Sequence, residues 1–320
     1  MKKLIGIAVI AVMLALAGCP TSGDDDPGIP DGIVMKTAFN GNFQVTLTGT
    51  NINIDWGDDS ANYTNASVTN ASIPHPYATA KARTITITGD ITRLYCVDMG
   101  LTSLDVRAAT ELVELHCDSN ILTSLNVRSN TKLTKLYLRD NNISSINISK
   151  NHALEELIFS ETRINSINLS NNYALKVLQC SETKLTSLDV SKNPELTWLD
   201  CNTSPISSMN LKGATALVVL NCGYNKLTKL DTSGNPNLGA FYCNNNQLKS
   251  LSVVSNTNLE ELECSNNKMD AAALNALFGT LPPREEGSEG IIVIFGNDGA
   301  GACDKNIATG RGWEIYEPSP

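Results

Sequence analysis

Apolar residues recur every 21 positions through the middle of this 320-residue chain. One unit shows the pattern in full, with apolar residues at Leu175, Leu178, Cys180, Leu185, Leu188 and Val190, followed by Asn193. The register L-x-x-L-x-C-x-x-N-x-L-x-x-L-x-V-x-x-N starts nine times, at Ile91, Leu112, Leu133, Leu154, Leu175, Leu196, Leu217, Leu238 and Leu259. A unit this short cannot enclose a core alone. The spacing therefore predicts a solenoid over residues 91–269, in which successive coils bury their leucines against each other.

The x-L-x-C segment of each unit alternates outward and inward positions, as a half-buried strand does. Nine such segments predict a parallel sheet whose neighbouring strands lie about 4.8 Å apart. A 21-residue unit leaves little room for a helix on the opposite side, which favours a short extended or 3₁₀ segment there.

An asparagine stands at the ninth position of five units, at Asn120, Asn141, Asn225, Asn246 and Asn267. Side-chain amides at such bends hydrogen-bond to backbone groups, and here we expect them to reach adjacent coils. Thr162, Thr183 and Ser204 replace the amide in three consecutive units, so we expect a less regular ladder in the middle of the solenoid.

Cysteines fill the sixth position of seven units, at Cys96, Cys117, Cys180, Cys201, Cys222, Cys243 and Cys264. Disulfides are one interpretation, because neighbouring strands bring Cα atoms within bridging range. Three observations favour free thiols that act as small apolar core residues: the number is odd, in-register side chains point the same way, and Leu138 and Phe159 share the column. A metal site is not expected, since ligands must converge and these residues form a line. Cys303 lies outside the column.

These positions resemble the leucine-rich repeat, whose hallmark L-x-x-L-x-L-x-x-N-x-L is met here with cysteine at the sixth position. The cysteine column is similar to the cysteine-ladder repeats of internalin J and of surface lipoproteins from Bacteroidetes-type bacteria. The resemblance implies an α/β leucine-rich repeat solenoid, mostly β, with a concave parallel sheet of about nine coils. It also implies protein binding or adhesion through the concave face.

Residues 33–90 alternate with a period of two and predict a small β domain or N-terminal cap. The segments 55–60, 75–77 and 83–89 resemble the D-x-G-D-G turn, the H-x-Y motif and the last strand of a PKD-type, immunoglobulin-like sandwich. Asp59 stands where that family has glycine. The aspartates at 55, 58 and 59 suit either a calcium site or a turn closed by their own side chains, and we favour the turn.

The period breaks after Asn267, and residues 270–320 predict an α/β C-terminal cap. Asp270 is placed to cap a helix over 271–278, which Leu281 and two prolines end. A strand over 291–295, a short helix over 304–308 and a last strand over 313–316 would close the sheet edge.

The N-terminus has the pattern of an export signal. Met1-Lys2-Lys3 precedes an apolar run over 4–17, too short to span a bilayer as a helix. Leu16-Ala17-Gly18-Cys19 resembles a bacterial lipobox, which implies a signal peptide over 1–18 and lipidation at Cys19. Several acyl chains on that cysteine would anchor the protein durably in a membrane. An ordinary secretory signal is the alternative.

An acidic tether follows over 19–32, rich in proline, glycine and aspartate. Its aspartates at 24–26 resemble surface-export signals of some Gram-negative lipoproteins, or they form a solvated spacer. The expected location is therefore the outer membrane, with the chain exposed at the cell surface.

Charge and composition exclude two classes of protein. An apolar fraction of 42% with 18% charged residues is globular. Loss of Lys2 and Lys3 with the leader takes the formal net charge from −9 to −11, which argues against a nucleic-acid partner. A single apolar run excludes a polytopic membrane protein.

Catalytic chemistry is not indicated. None of the three histidines, His75, His116 and His152, is placed to act as the general base for a serine or cysteine nucleophile. The chain has no phosphate-binding glycine motif after a strand, no P-loop, no H-E-x-x-H and no C-x-x-C. We expect no enzyme, no cofactor and no metal site.

Outward strand positions are free of packing constraints, so their side chains indicate what the face contacts. Arg93, Lys135 and Arg139 make the first units more basic, and aromatic and aliphatic residues gather in units five to eight. The candidate ligand-binding residues on the concave face are Trp198, Tyr242, Tyr224, Val177, Val219, Asn221, Tyr137 and Tyr95. The alternative is that these side chains merely cover a β surface, where aromatics are favoured.

Three functional hypotheses remain open from the sequence. The first is a lipid-anchored solenoid that binds a host or envelope protein through its concave face. The second is a carbohydrate-binding lipoprotein in which Trp198, Tyr224 and Tyr242 stack on sugar rings, with Asn221, Asn244 and Asn245 as polar partners. The third is a purely structural envelope protein.

Overall fold

The computed structural model describes residues 28–285, 288 and 290–316. The predicted signal peptide, the Cys19 lipidation site and the first part of the acidic tether lie outside the described residues. Within the described part of the chain, no helix is long and apolar enough to cross a bilayer.

The repeats form a parallel sheet in which successive repeat strands pair in register, 21 residues apart. The repeat strands are β4 (Arg83–Tyr95, through its last three residues), β6 (Glu114–His116), β7 (Lys135–Tyr137), β8 (Glu156–Ile158), β9 (Val177–Gln179), β11 (Trp198–Asp200), β13 (Val219–Asn221), β14 (Ala240–Tyr242) and β15 (Glu261–Glu263). Two further strands, β16 (Gly290–Val293) and β17 (Trp313–Tyr316), extend the same sheet in parallel. The predicted solenoid is confirmed, and in the described residues the parallel part of its 15-stranded sheet has eleven strands.

The inward positions form one continuous core. The leucine that begins each unit from Leu112 to Leu259 is fully buried, and so are Leu138 and Phe159 in the cysteine column. The seven column cysteines are also fully buried, and all eight cysteines of the described residues are free thiols. Removal from water raises the pKa of the Cys96 thiol to about 12, so the column holds neutral thiols as small apolar groups.

Asparagine side chains join neighbouring coils at the end of each strand. The Asn141 amide donates to the carbonyls of Cys117 and Leu138 at 3.0 and 3.2 Å, and its oxygen accepts the Leu122 N–H at 3.0 Å. The Thr162 hydroxyl donates to the Phe159 carbonyl at 2.8 Å. Its side chain has no amide group that could also reach a neighbouring coil. The middle of this ladder is therefore less regular, as the substitutions predict.

A second asparagine column lies on the far side of the coils, at Asn130, Asn151, Asn172, Asn193, Asn235 and Asn256, all fully buried. The Asn151 amide donates to the carbonyls of Val127 and Asn130 at 3.0 and 2.8 Å. Within the described residues its Oδ1 atom has no hydrogen-bond partner, and the same holds for every other member except Asn256. Asn256 differs because the Thr232 hydroxyl, 24 residues earlier, donates to its Oδ1 at 2.8 Å.

The Thr232–Asn256 pair predicts the effect of threonine at the equivalent positions of other units, three residues before each buried asparagine, where Val127 and Val190 stand. Val127→Thr keeps the side-chain shape and places a hydroxyl 24 residues before Asn151, so the free energy of unfolding should stay within about 0.5 kcal/mol of the wild type. Val190→Thr is the matched control, because the residue 24 positions later is Ala214, whose side chain offers no acceptor for the new hydroxyl. The control should lose about 1–3 kcal/mol for an unpartnered buried hydroxyl. Denaturant titration measures both, and equal losses would contradict the pairing.

A column of left-handed residues turns the chain away from the strands. Its members are Asp98, Ser119, Asp140, Glu161, Glu182, Thr203, Tyr224, Asn245 and Asn266, each with φ between 50° and 57°. Asparagine and aspartate tolerate this conformation, whereas β-branched and bulky residues do not. Thr203 and Tyr224 are therefore strained members of the column.

Exchanging residues within this column should change stability in opposite directions. Thr203→Asn should raise the free energy of unfolding by about 1 kcal/mol, since asparagine relieves the strain of a β-branched residue at positive φ. Asn245→Thr, one coil from Tyr224, should lower it by a similar amount. Thermal and denaturant unfolding of the pair provide the measurement, and a stabilised N245T protein would refute the strain.

The N-terminal part is antiparallel and runs directly into the first coil. Its strands are β1 (Ile33–Thr37), β2 (Gly41–Asp55), β3 (Tyr63–Tyr77) and β4, with β5 (Leu101–Asp105) on the edge beside β1. β2 pairs with β3 and β4, and β1 pairs with β4 and β5. The end of β4 then pairs in parallel with β6. One unbroken strand therefore passes from the antiparallel part into the solenoid, and the likeness of residues 33–90 to a PKD-type sandwich stays a prediction.

Aromatic residues pack the antiparallel part beneath its turns. The Tyr77 hydroxyl donates to the Trp56 carbonyl at 2.6 Å, and the Arg83 guanidinium lies over the Tyr77 ring at 4.1 Å. Asp55 and Asp58 accept the backbone N–H groups two residues further on, at 2.9 and 3.2 Å. These bonds close the turn in the manner that the sequence favours.

Helices and short strands complete the C-terminal end and the convex side. α1 (Ala271–Thr280) begins after Asp270, whose side chain accepts the Ala273 N–H at 2.8 Å, and it buries Leu274, Leu277 and Phe278. α2 (Asn306–Thr309) is a single turn before β17. On the convex side β10 (Ser187–Asp189) and β12 (Ser208–Asn210) form a separate two-stranded parallel sheet. The predicted capped helix is confirmed and runs two residues further than expected.

Candidate functional site

An apolar stripe crosses four neighbouring strands of the concave face. Trp198 lies in register between Val177 and Val219, and Ala240 follows Val219 on the next strand. Trp198 is 44% exposed, whereas Trp56 and Trp313 are almost completely buried. Val218, which the sequence analysis did not select, is 43% exposed beside Val219. The structure thus brings three of the candidate residues together in one patch, in which Trp198 is exposed and Val177 and Val219 are half-buried.

The same column carries ion pairs in the first four units. Arg93 pairs with Glu114 at 3.3 Å, and Lys135 pairs with Glu156 at 2.7 Å, each pair joining neighbouring strands. Arg139, two residues after the Lys135–Tyr137 strand in the same unit, pairs with Glu161 on the next coil. The basic residues expected to give the first units a positive face are therefore neutralised by carboxylates of the next coil. A sequence signal existed, because opposite charges 21 residues apart stand side by side in the sheet.

The candidate residues Tyr95 and Tyr137 lie in this ion-paired half, away from the stripe. Tyr95 donates to Glu114 at 2.7 Å, and Tyr137 donates to Glu156. Their rings pack on either side of His116, with centroid distances of 4.2 and 4.1 Å. The His116 Nε2 atom is buried, and within the described residues it has no hydrogen-bond partner. Burial between two rings lowers the pKa of His116, against the opposing effect of Glu114 and Glu156.

Lowering of the His116 pKa makes stability depend on pH in a defined direction. The unfolded chain takes up a proton near pH 6.5, while the folded chain resists it, so stability is lost as pH falls from that value through the folded pKa. His116→Phe preserves the ring stack and cannot titrate. The wild type should therefore lose stability relative to the phenylalanine variant as pH falls below about 6.5. Denaturant titrations at several pH values measure the difference, and parallel profiles would contradict the assignment.

An open pocket of about 370 Å³ lies beside the stripe, where the strands end. Its lining residues are Asn202, Thr203, Asn221, Tyr224, Tyr242, Asn244 and Glu263. Tyr224 is 59% exposed, and the Tyr242 hydroxyl donates to Glu261 at 2.6 Å. A Cβ at Gly223 would lie 2.5 Å from the Asn244 side-chain oxygen, so glycine makes room for that amide. The pocket unites three candidates, Asn221, Tyr224 and Tyr242, with Asn244, which the carbohydrate hypothesis names as a polar partner. Its other lining residues, Asn202, Thr203 and Glu263, were not predicted from the sequence.

The remaining histidines have local partners. The His75 ring stacks on Trp56 at 4.6 Å and pairs with Asp58 at 2.8 Å, which lowers the pKa of the Asp58 carboxyl to about 2. His152 hydrogen-bonds to the Asn171 carbonyl at 3.1 Å. Across the described residues, no three histidine, cysteine, aspartate or glutamate side chains are grouped to hold a metal ion.

Solved structures with the same architecture decide the fold. The functional domain of InlJ from Listeria monocytogenes, which includes a cysteine ladder, superposes with a TM-score of 0.51 at 24% identity, over 74% of this chain and 62% of its own. The fold is a leucine-rich repeat solenoid. YopM from Yersinia enterocolitica gives a TM-score of 0.55 at 21% identity, over 72% of this chain and 45% of its own. YopM from Yersinia pestis, a leucine-rich effector protein, gives 0.54 at 22%, over 64% and 55%.

These leucine-rich repeat structures share architecture rather than close sequence with the chain. The chain spans about half to three-fifths of the length of each of them. No protein-family model matches the sequence, and no curated protein matches it. The cysteine ladder of the InlJ domain has its counterpart here in the seven buried column thiols.

Proposed function

We propose that this leucine-rich repeat chain is a non-catalytic binding scaffold that holds a protein partner, of the host or of the envelope, on its concave face. The observation that carries the proposal is the apolar stripe of Val177, Trp198, Val219 and Ala240, in which Trp198 is exposed and the other three are half-buried. Aromatic anchors surrounded by aliphatic side chains are typical of protein-binding hot spots. The ion-paired half of the same face shows that outward positions of this sheet do not require apolar residues.

Anchoring belongs to the same proposal. The lipobox at Leu16–Cys19 supports attachment through lipid on Cys19, with the acidic tether holding the solenoid away from the membrane. A surface-exposed outer-membrane lipoprotein would present its concave face to proteins outside the cell. Metabolic labelling with a tagged fatty acid tests the anchor, because Cys19→Ala should abolish incorporation.

Carbohydrate binding is the second candidate, and the pocket next to the stripe favours it. Tyr224 and Tyr242 offer aromatic surfaces, and Asn221 and Asn244 offer amides, within one open pocket. Sugars combine an apolar ring face with hydroxyl groups, which such a pocket would match. A purely structural envelope protein is the third candidate and would use neither surface.

A double substitution distinguishes a binding role from a structural one. Trp198→Ala with Tyr242→Ala should lower attachment of protein-coated beads to cells by at least about tenfold, because hot-spot truncations commonly exceed 1 kcal/mol each. Thermal stability should change little, since Trp198 is exposed and Tyr242 is only half-buried. Tyr173→Ala, at a tyrosine that is 53% exposed and lies outside the concave strands, is the control and should bind normally.

A glycan array run with the same variants separates the two binding candidates. Signals on defined glycans that disappear with Tyr224→Ala and Tyr242→Ala would favour the carbohydrate pocket over a protein partner. Normal attachment by the Trp198→Ala/Tyr242→Ala variant would refute binding through these residues. Unfolding of that variant would show that the two side chains are structural.

A further inference from the structure

The concave face of units five to nine carries carboxylates without cationic partners. Asp200 accepts hydrogen bonds from Asn202, Glu261 from the Tyr242 hydroxyl, and Glu263 from Ser265. All three donors are neutral. Among the described residues, none of these three carboxylates takes part in an ion pair. This half of the face is therefore acidic as well as apolar.

The first half of the face shows that the arrangement is not forced by the fold. There the carboxylates of Glu114 and Glu156 each contact a cation on the preceding strand. The corresponding neighbours of Glu261 are Ala240 and Ile291, and those of Glu263 are Tyr242 and Val293. Those neighbours leave the negative charge uncompensated.

The carboxylates border the apolar stripe directly. Asp200 follows Trp198 by two residues on β11, so both side chains project from the same face of the sheet. Glu261 lies in register beside Ala240, which ends the stripe. Burial disfavours the charged form of Asp200 and raises its pKa. The electrostatic attraction between a cation and this carboxylate would therefore be stronger than at a fully solvated carboxylate.

We propose that the partner is a basic and apolar polypeptide segment, with a bulky apolar side chain on Trp198 and cationic side chains at Asp200 and Glu263. This inference rests on the proposed protein-binding function and names the chemistry of its partner. Asp200 and Glu263 stand three strands apart, about 14 Å at the spacing of a sheet. An extended peptide that crosses the strands spans that distance in about four residues, so cations four residues apart match the two carboxylates.

Selection from a display library of random linear peptides tests this partner chemistry. The immobilised wild-type protein should enrich peptides that combine lysine or arginine with leucine, phenylalanine or tryptophan. Asp200→Asn with Glu263→Gln should weaken those peptides by about tenfold and remove most of the salt dependence of their binding. Trp198→Phe and Trp198→Ala report the apolar anchor, and the exposed Trp198 also reports binding by its fluorescence.

The control removes the same amount of charge elsewhere. Glu195→Gln with Asp298→Asn, at exposed positions outside the concave strands, should leave the selected peptides bound at wild-type strength. Trp198-dependent peptides without cationic enrichment, or basic peptides that bind D200N/E263Q as well as the wild type, would overturn this inference and leave the proposed function standing. A face that selects no Trp198-dependent peptide, with or without glycan binding, would overturn both.

Discussion

Hydrogen bonding between successive coils is the constraint on which the rest of this structure depends. Each repeat strand has only three residues, so a coil cannot satisfy its own backbone and must pair with its neighbours. The Cys117 N–H donates to the Tyr137 carbonyl at 2.9 Å, and the Cys201 N–H donates to the Asn221 carbonyl at 2.8 Å. The asparagine ladder extends this pairing beyond the strands. An added or lost residue would shift every column, which explains why the 21-residue period holds until Asn267.

This constraint also explains which features the sequence could predict. Inward columns must be apolar and of matched size, so the leucines and cysteines could be assigned to the core from spacing alone. Asp270 could be assigned as a cap because its local pattern is sufficient. The extra coils of the C-terminal cap were recognisable from their strands, although their 21-residue spacing is lost.

Other features depend on geometry that spacing does not encode. Asn193 was visible as a repeat position, but an unpartnered Oδ1 depends on where the neighbouring coil places its donors. The strain at Thr203 follows from a backbone conformation that no side-chain pattern announces at a threonine. For the site, the sequence placed Tyr224 and Tyr242 on one surface, whereas the pocket also needs Asn202 and Glu263 from flanking columns.

The division of the concave face into two halves follows from the separation of structural and outward positions. Since inward side chains and backbone hold the coils together, an outward side chain is required for stability only where it pairs with a neighbour. Units one to four use their outward residues in this way, through ion pairs and the Tyr95–His116–Tyr137 stack. Trp198 has no such role, and its exposed surface is a cost to solubility that a partner would remove. Under the proposed function, a stacked sheet that already holds Trp198 and Asp200 in fixed positions would lose little conformational entropy on binding, so a small patch would supply useful affinity.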